Sequence, residues 1–277
     1  MRSRIALLVM KIVRLKSWKS FTHHVEAVVA ESKALRQEAS SHVSTPVFRG
    51  HANAKWTLST TLERESGDGI SLKHFYQQVL YPSLRMLRGE LNFELPELGD
   101  LNLPLRDIPH QLPMQEQLAM LRHHGAPSPL LDWSYSPYVA AYFAFAPPVA
   151  PKTRNVAVYA FREFVGEGKG YEGDKSRIGV IGRWAAVHGR HIRQQSTYTL
   201  CVRDMGGQLV FASHEIPEDA QPFKFLNFDE IIKFEIPIRE RDTALEALNL
   251  MNVTEYSLFG TQDTLVRTVV RFTSQPD

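Results

Sequence analysis

Two short segments, far apart in the chain, set the hardest condition on the fold. They are Val47-Phe48-Arg49-Gly50-His51 and Leu130-Leu131-Asp132-Trp133-Ser134-Tyr135-Ser136-Pro137. Arg49 follows two apolar residues, and Asp132, Ser134 and Ser136 sit between Leu130-Leu131 and the run Val139 to Phe145. An ionised side chain inside core-forming sequence is expensive to bury alone, so each must find a partner or belong to a site. Two readings follow from the residues. Arg49 and Asp132 form an ion pair that fastens the fold, or they are parts of a site in which the guanidinium fork grips a phosphate or carboxylate. Gly50, beside Arg49, lets a backbone or a ligand come close.

The chain has room for a substantial core, with 277 residues of which 43% are hydrophobic. It could form one large domain or two small ones. The formal charge is +2 with 22% charged residues, so bulk charge gives nucleic-acid binding no help. Scattered basic residues, Arg183, Arg190 and Arg193 near Trp184, leave it as a weak alternative. The single cysteine, Cys201, excludes an internal disulfide framework and a cysteine-based zinc cluster, and it fits a reducing cytoplasm. Met1 to Leu15 is basic and then apolar, but Lys11 and Arg14 interrupt it and no small-residue cleavage site follows. It is read as a lead-in over 1–16, too short to span a membrane, ahead of a single domain over 17–277.

Hydrophobic periodicity predicts an N-terminal helix over Ser17 to Arg36, with Trp18, Phe21, Val25, Val28 and Val29 on one face. A short strand ends at Gly50, and Trp56 to Leu62 returns to apolar alternation. A second helix runs from Leu72 to Leu91, with Pro82 perturbing one turn. Met114 to His124 resumes helical character. Pro137 suits the first turn of a helix through Phe145. Strands are predicted at Asn155 to Phe161, Gln194 to Val202, Gly207 to Ala212 and within Phe223 to Ile238. An amphipathic helix follows at Asp242 to Met251. Early helices and late strands argue for an α+β fold rather than a regular βαβ array.

Several familiar chemistries do not fit. His23-His24 and His123-His124 are adjacent pairs, which do not project to one side of a helix, so no metal site is expected. Gly168 to Ser176 (GKGYEGDKS) lacks the contiguous Gly-Lys-Ser of a phosphate loop, and Asp174 intrudes; it is read as an exposed loop. No Gly-x-Ser-x-Gly elbow is present, and Cys201 lies in an apolar run that suits a small core residue.

The two opening segments resemble the FRG domain family, named for its Phe-Arg-Gly motif. The matching residues are Phe48-Arg49-Gly50, then Trp56, Leu58 and Arg64. The second block resembles the family's His-x-Gly-x-Pro-Thr-Arg-Leu-Leu-Asp-Trp-Thr pattern through His124, Gly125, Pro127, Leu130, Leu131, Asp132, Trp133 and Ser134, with Pro137, Ala140, Phe143 and Ala144 beyond. A third block, Arg193-Gln194-Gln195-Ser196-Thr197-Tyr198-Thr199, resembles a family strand, and the resemblance is read from about Trp18 onward. Pro129 stands where the family has Arg, and Arg122 where it has Gln. Arg122 is the candidate to supply the missing guanidinium.

The motif order is similar to that of Arg–Ser–Glu ADP-ribosyltransferases. That likeness implies a mixed or antiparallel β-sheet split around a cleft, with helices mainly from the N-terminal half. It implies an NAD-consuming enzyme, a bacterial toxin or phage-defence effector, with NAD as substrate and a macromolecular acceptor or antitoxin as partner. Asp132, Ser134 and Gln194 would be catalytic, and Arg49, Gly50, Trp133 and Tyr198 would hold the nucleotide. Gln194 is neutral where a carboxylate is expected, so Asp132 would have to supply the charge. The alternative is a non-catalytic module of the same fold that binds a nucleotide or another anion.

Overall fold

The computed structural model describes residues 10–37, 43–91, 93–108, 110–150, 152–165, 176–181, 189–215 and 229–273. Most of the glycine-rich stretch from Gly168 lies outside the described residues, as do Arg183, Trp184 and the segment from Phe223 to Phe228. The strands are β1 (Lys11–Arg14), β2 (Val47–His51), β3 (Leu130–Ser134), β4 (Asn155–Arg162), β5 (Ser176–Ile181), β6 (Ser196–Met205), β7 (Gln208–Phe211) and β8 (Glu230–Pro237). The helices are α1 (Trp18–Gln37), α2 (Thr61–Ser66), α3 (Leu72–His74), α4 (Tyr81–Leu91), α5 (Gln115–His123), α6 (Pro137–Phe145), α7 (Gly189–Arg193), α8 (Arg241–Leu250), α9 (Glu255–Phe259) and α10 (Gln262–Thr273).

The strands form one mixed sheet in the order β1-β8-β4-β2-β3-β6-β5, with β7 also on β6. The fold is therefore α+β, as the segment pattern implies. Only β1–β8 pair in parallel; the other neighbours are antiparallel. β1 falls inside the stretch read as a lead-in, so that segment contributes an edge strand. The segment carries no alternation to mark it as a strand: Lys11, Ile12 and Arg14 are all exposed and only Val13 is partly covered.

One seam in the sheet is short. β2 shares five paired positions with β4, and β3 shares five with β6, but β2 and β3 meet only at Phe48 and Ser134. Beyond that pair the two strands part.

Alternation along the strands divides the core. Phe48 joins α1, α6 and α8 in a cluster with Phe21, Val25, Ala140, Phe145 and Phe234. Val47, Leu131, Trp133 and Tyr159 turn to the opposite face, beside Leu58 and Cys201. A third cluster packs the α3–α5 region on Leu130, Tyr198 and Leu200. Side chains two apart on a strand share a face, which is why neighbours such as Leu130 and Leu131 fall into different clusters.

Local chemistry explains most element ends. Ser136 caps α6, its hydroxyl accepting from the Val139 amide at 3.3 Å, and Pro137 takes the first turn, where its missing N–H is no loss. Pro82 perturbs its helix as expected: the residues before it, Phe75–Leu80, wind as a π-helix between α3 and α4. The wider turn rotates Val79 outward, to 45% exposure, while Tyr76 is buried in its stead. In α1, Val29 is likewise outside the buried face, which continues through Ser32 instead; its hydroxyl donates to the Val28 carbonyl at 2.8 Å. Trp56 to Leu62 is a loop running into α2 at Thr61, not a strand.

Candidate functional site

The parting of β2 and β3 opens a cavity of about 440 Å³. Arg49 on β2 and Asp132 on β3 face each other across it. Arg49 Nη1 donates to the Asp132 backbone carbonyl at 2.6 Å and lies 3.7 Å from its carboxylate. Arg49 Nε donates to His51 Nε2 at 3.1 Å. That acceptance requires a neutral imidazole, and burial together with the Arg49 charge pushes the His51 pKa down to about 3.

Arg122, at the end of α5, completes the cluster from the other side. Its Nη2 lies 2.6 Å from Asp132 Oδ2, and its Nε reaches both carboxylate oxygens at 3.2 and 3.4 Å. Its Nη1 donates to Thr61 at 3.1 Å, and the Thr61 hydroxyl accepts the Ser128 amide at 2.9 Å. Pro129 brings no guanidinium to the site; Arg122, carried there by α5, meets the Asp132 carboxylate.

Burial works to raise the Asp132 carboxyl, but the guanidinium groups of Arg122 and Arg49 outweigh it and hold the carboxyl below its ordinary value. The carboxylate is ringed by protein yet open to the cavity, with 45% of the side chain accessible. Arg190, on α7, is the third guanidinium on the lining. Burial lowers its pKa and the Asp132 charge pulls the other way, as it does for Arg49. Arginine stays protonated through shifts of this kind. The lining therefore holds three guanidinium groups against one carboxylate.

All the residues singled out from the sequence border this cavity, but their side chains do different things. Gly50 borders the cavity, and its missing Cβ is matched by a neighbouring helix. It makes room for α6: a Cβ there would lie 2.7 Å from the Ala144 amide nitrogen and closer still to the Ala140 carbonyl oxygen. The Trp133 indole is buried in the core, and its Nε1 donates to Thr199 at 2.7 Å, so it offers no stacking face. The Ser134 hydroxyl is occupied. It donates to the Gln194 carbonyl at 2.7 Å and accepts the Ser136 amide at 3.0 Å, tying the start of α6 to the segment before β6.

Gln194 is not on a strand. It sits in the turn between α7 and β6, and its amide donates to the Leu258 carbonyl at 3.3 Å. The strand begins two residues later because Gln195 takes a left-handed conformation, φ 49°. Tyr198 is paired with Asp132 across β3–β6 and packs on the His191 ring at 5.7 Å; burial raises its pKa. Sequence reading placed Arg190 only in a loose basic group, and missed His51 and Phe143 as neighbours of the site. Arg190 and Arg193 flanking His191-Ile192 just before Gln194-Gln195 was the available signal.

Residues 44–153 match the FRG domain family. The chain carries an FRG domain. No curated protein and no solved structure matches the chain. The FRG match takes in β2, α5, β3 and α6, and so Arg49, Arg122, Asp132 and Ser134. Arg190, Gln194 and Tyr198, on the facing wall, lie beyond it, so the broader resemblance read from the sequence is supported over this span. Among the described residues no group of three or more His, Cys, Asp or Glu could hold a metal ion, and no helix is long and apolar enough to cross a membrane.

Proposed function

We propose that the cavity between β2 and β3 binds a phosphate-bearing nucleotide, with NAD as the first candidate. One observation carries this reading: Arg49, Arg122 and Arg190 converge on a single cavity whose lining includes one carboxylate. Guanidinium forks match phosphate geometry, and a partly buried setting strengthens the attraction. The volume falls within the roughly 300–1,000 Å³ of small-ligand sites. Phe48, Phe143 and Tyr198 give the same cavity apolar walls for a base or ribose. Asp132, paired with Arg49 and Arg122, offsets the mutual repulsion of those two guanidinium groups in the absence of ligand charge.

A second reading, ADP-ribosyl transfer from NAD, is favoured by the ionised and accessible state of the Asp132 carboxylate. Cleavage of the nicotinamide–ribose bond sends the electron pair to the leaving nicotinamide and leaves positive charge on the sugar, as in glycoside cleavage. A carboxylate at hand would stabilise that charge until an acceptor nucleophile attacks and gives up its proton. Ser134 and Gln194 would then be positioning residues, since their side chains serve the backbone. A toxin or phage-defence role would follow from such NAD consumption.

Calorimetry with NAD, ADP-ribose and inorganic pyrophosphate tests the binding reading. The expected result is saturable binding that weakens with salt, and weakens more than tenfold in R122A or R190A. Absence of binding by the folded wild-type chain to all three at millimolar concentration would overturn it. Nicotinamide release, followed by chromatography, separates the second reading from the first.

A further inference from the structure

α7 is five residues long and cannot hold its own register in isolation. The placement of Arg190 must come from what α7 docks on: β6, where His191 packs on Tyr198, and the C-terminal end of α9, where Arg190 meets Phe259. The Arg190 guanidinium carbon lies 4.2 Å from the Phe259 ring centroid. Arg193 Nη1 donates to the Phe259 carbonyl at 3.3 Å, and Gln194 Nε2 to the Leu258 carbonyl at 3.3 Å. The last carbonyls of a helix attract cations and donors, and Gly260 ends α9 there in a left-handed conformation, φ 66°. Phe259 also meets the Phe143 ring, at 6.1 Å and 77°, and Phe143 lines the cavity. Phe259 itself does not line it.

We propose that Phe259 is a positioning residue for the anion site: its ring face fixes the Arg190 guanidinium toward the cavity and Asp132, and it meets no ligand itself. The inference rests on the reading of the cavity as a phosphate site. A cation within about 6 Å of an aromatic centroid is held by the ring's negative face, and the hold is lost with an aliphatic side chain of similar bulk.

The test uses the full chain, with inorganic pyrophosphate as the probe and calorimetry as the readout. Phe259→Leu is expected to weaken pyrophosphate roughly fivefold, while Phe259→Tyr, which keeps the ring, binds as wild type. In an Arg190→Ala background, Phe259→Leu should have no further effect, which separates positioning from general loosening. Phe259→Met is a second ring-free probe should the leucine variant not fold, and must show the same loss. Wild-type affinity in a folded, ring-free variant, or an equal loss in the Arg190→Ala background, overturns the role of Phe259. Failure of the wild-type chain to bind pyrophosphate overturns the phosphate reading itself, and the positioning role with it.

Discussion

The Arg49 guanidinium takes the place of a strand-to-strand hydrogen bond, its Nη1 donating to the Asp132 backbone carbonyl at 2.6 Å. β2 and β3 separate beyond Phe48 and Ser134, and a carbonyl at such a seam needs another donor. Arg49 provides it and meets the carboxylate of the same residue with the same fork. One side chain thus holds the cavity open and charges it.

Arg49→Ala removes the donor to that carbonyl, one of two cations on Asp132, and the donor to His51. Leaving buried polar groups unpaired costs about 1–3 kcal/mol each, so the variant should lose about 3 kcal/mol of stability. Arg49→Lys restores the charge but not the fork, and should recover less than half of the loss. Urea denaturation measures both. An Arg49→Ala midpoint equal to wild type would show that the seam does not depend on this residue.

Gly50→Ala should be among the most damaging single substitutions in the chain. The new methyl would press on the backbone of α6 at Ala140 and Ala144, and backbone cannot swing aside as a side chain can. Overpacking typically costs about 1–3 kcal/mol, and this contact belongs at the upper end. The melting temperature should fall by more than about 6 °C. A drop of a degree or less would mean that α6 is not seated on β2 as described.

Much of the site could be read from sequence because the chemistry sits in contiguous blocks. Arg49 and Asp132 each stand against apolar neighbours, and such neighbours make strands whose charged members must meet something. Arg122 was named from the loss at Pro129, and α5 does carry it to Asp132. What stayed hidden depends on assembly. A glycine that admits a ligand and one that admits a helix look alike in sequence, and only the approach of α6 reveals the helix at Gly50. The hydroxyl of Ser134 looks free until the turn at Gln194 folds back on it. The position of Gln194 turns on a backbone reversal at Gln195, a residue type that rarely takes that conformation. Arg190 depends on α9, far along the chain, and no local pattern announces that contact.

Asp132→Asn should separate binding from chemistry. The substitution removes the one carboxylate on the lining and leaves three guanidinium groups. Affinity for pyrophosphate should rise several-fold in the folded variant, since like charges are then relieved only by the ligand. Any release of nicotinamide from NAD should be abolished. Stability should fall, because Arg49 and Arg122 lose their shared partner. Pyrophosphate affinity unchanged or reduced in a folded Asp132→Asn chain would show that the anion does not bind beside this residue.

The pH dependence of stability should be governed in part by two buried histidines within reach of the Arg49 charge. His51 and His214 both have pKa values lowered to about 3, by burial first and then by the Arg49 charge. In the unfolded chain each titrates near 6.5. Above about pH 6.5 neither state binds the proton and the histidines favour neither. Between 6.5 and 3 only the unfolded state takes it up, so stability falls as pH falls. At pH 5 the loss should be about 2 kcal/mol for each histidine relative to pH 7. Asp132, held below its ordinary value, contributes stability above about pH 4 that is lost only at lower pH, so it does not blur this window. Urea midpoints at pH 7, 6 and 5 should decline in the wild-type chain and decline far less in a His51→Gln, His214→Gln double variant. Parallel declines in the two chains would place the acid sensitivity elsewhere.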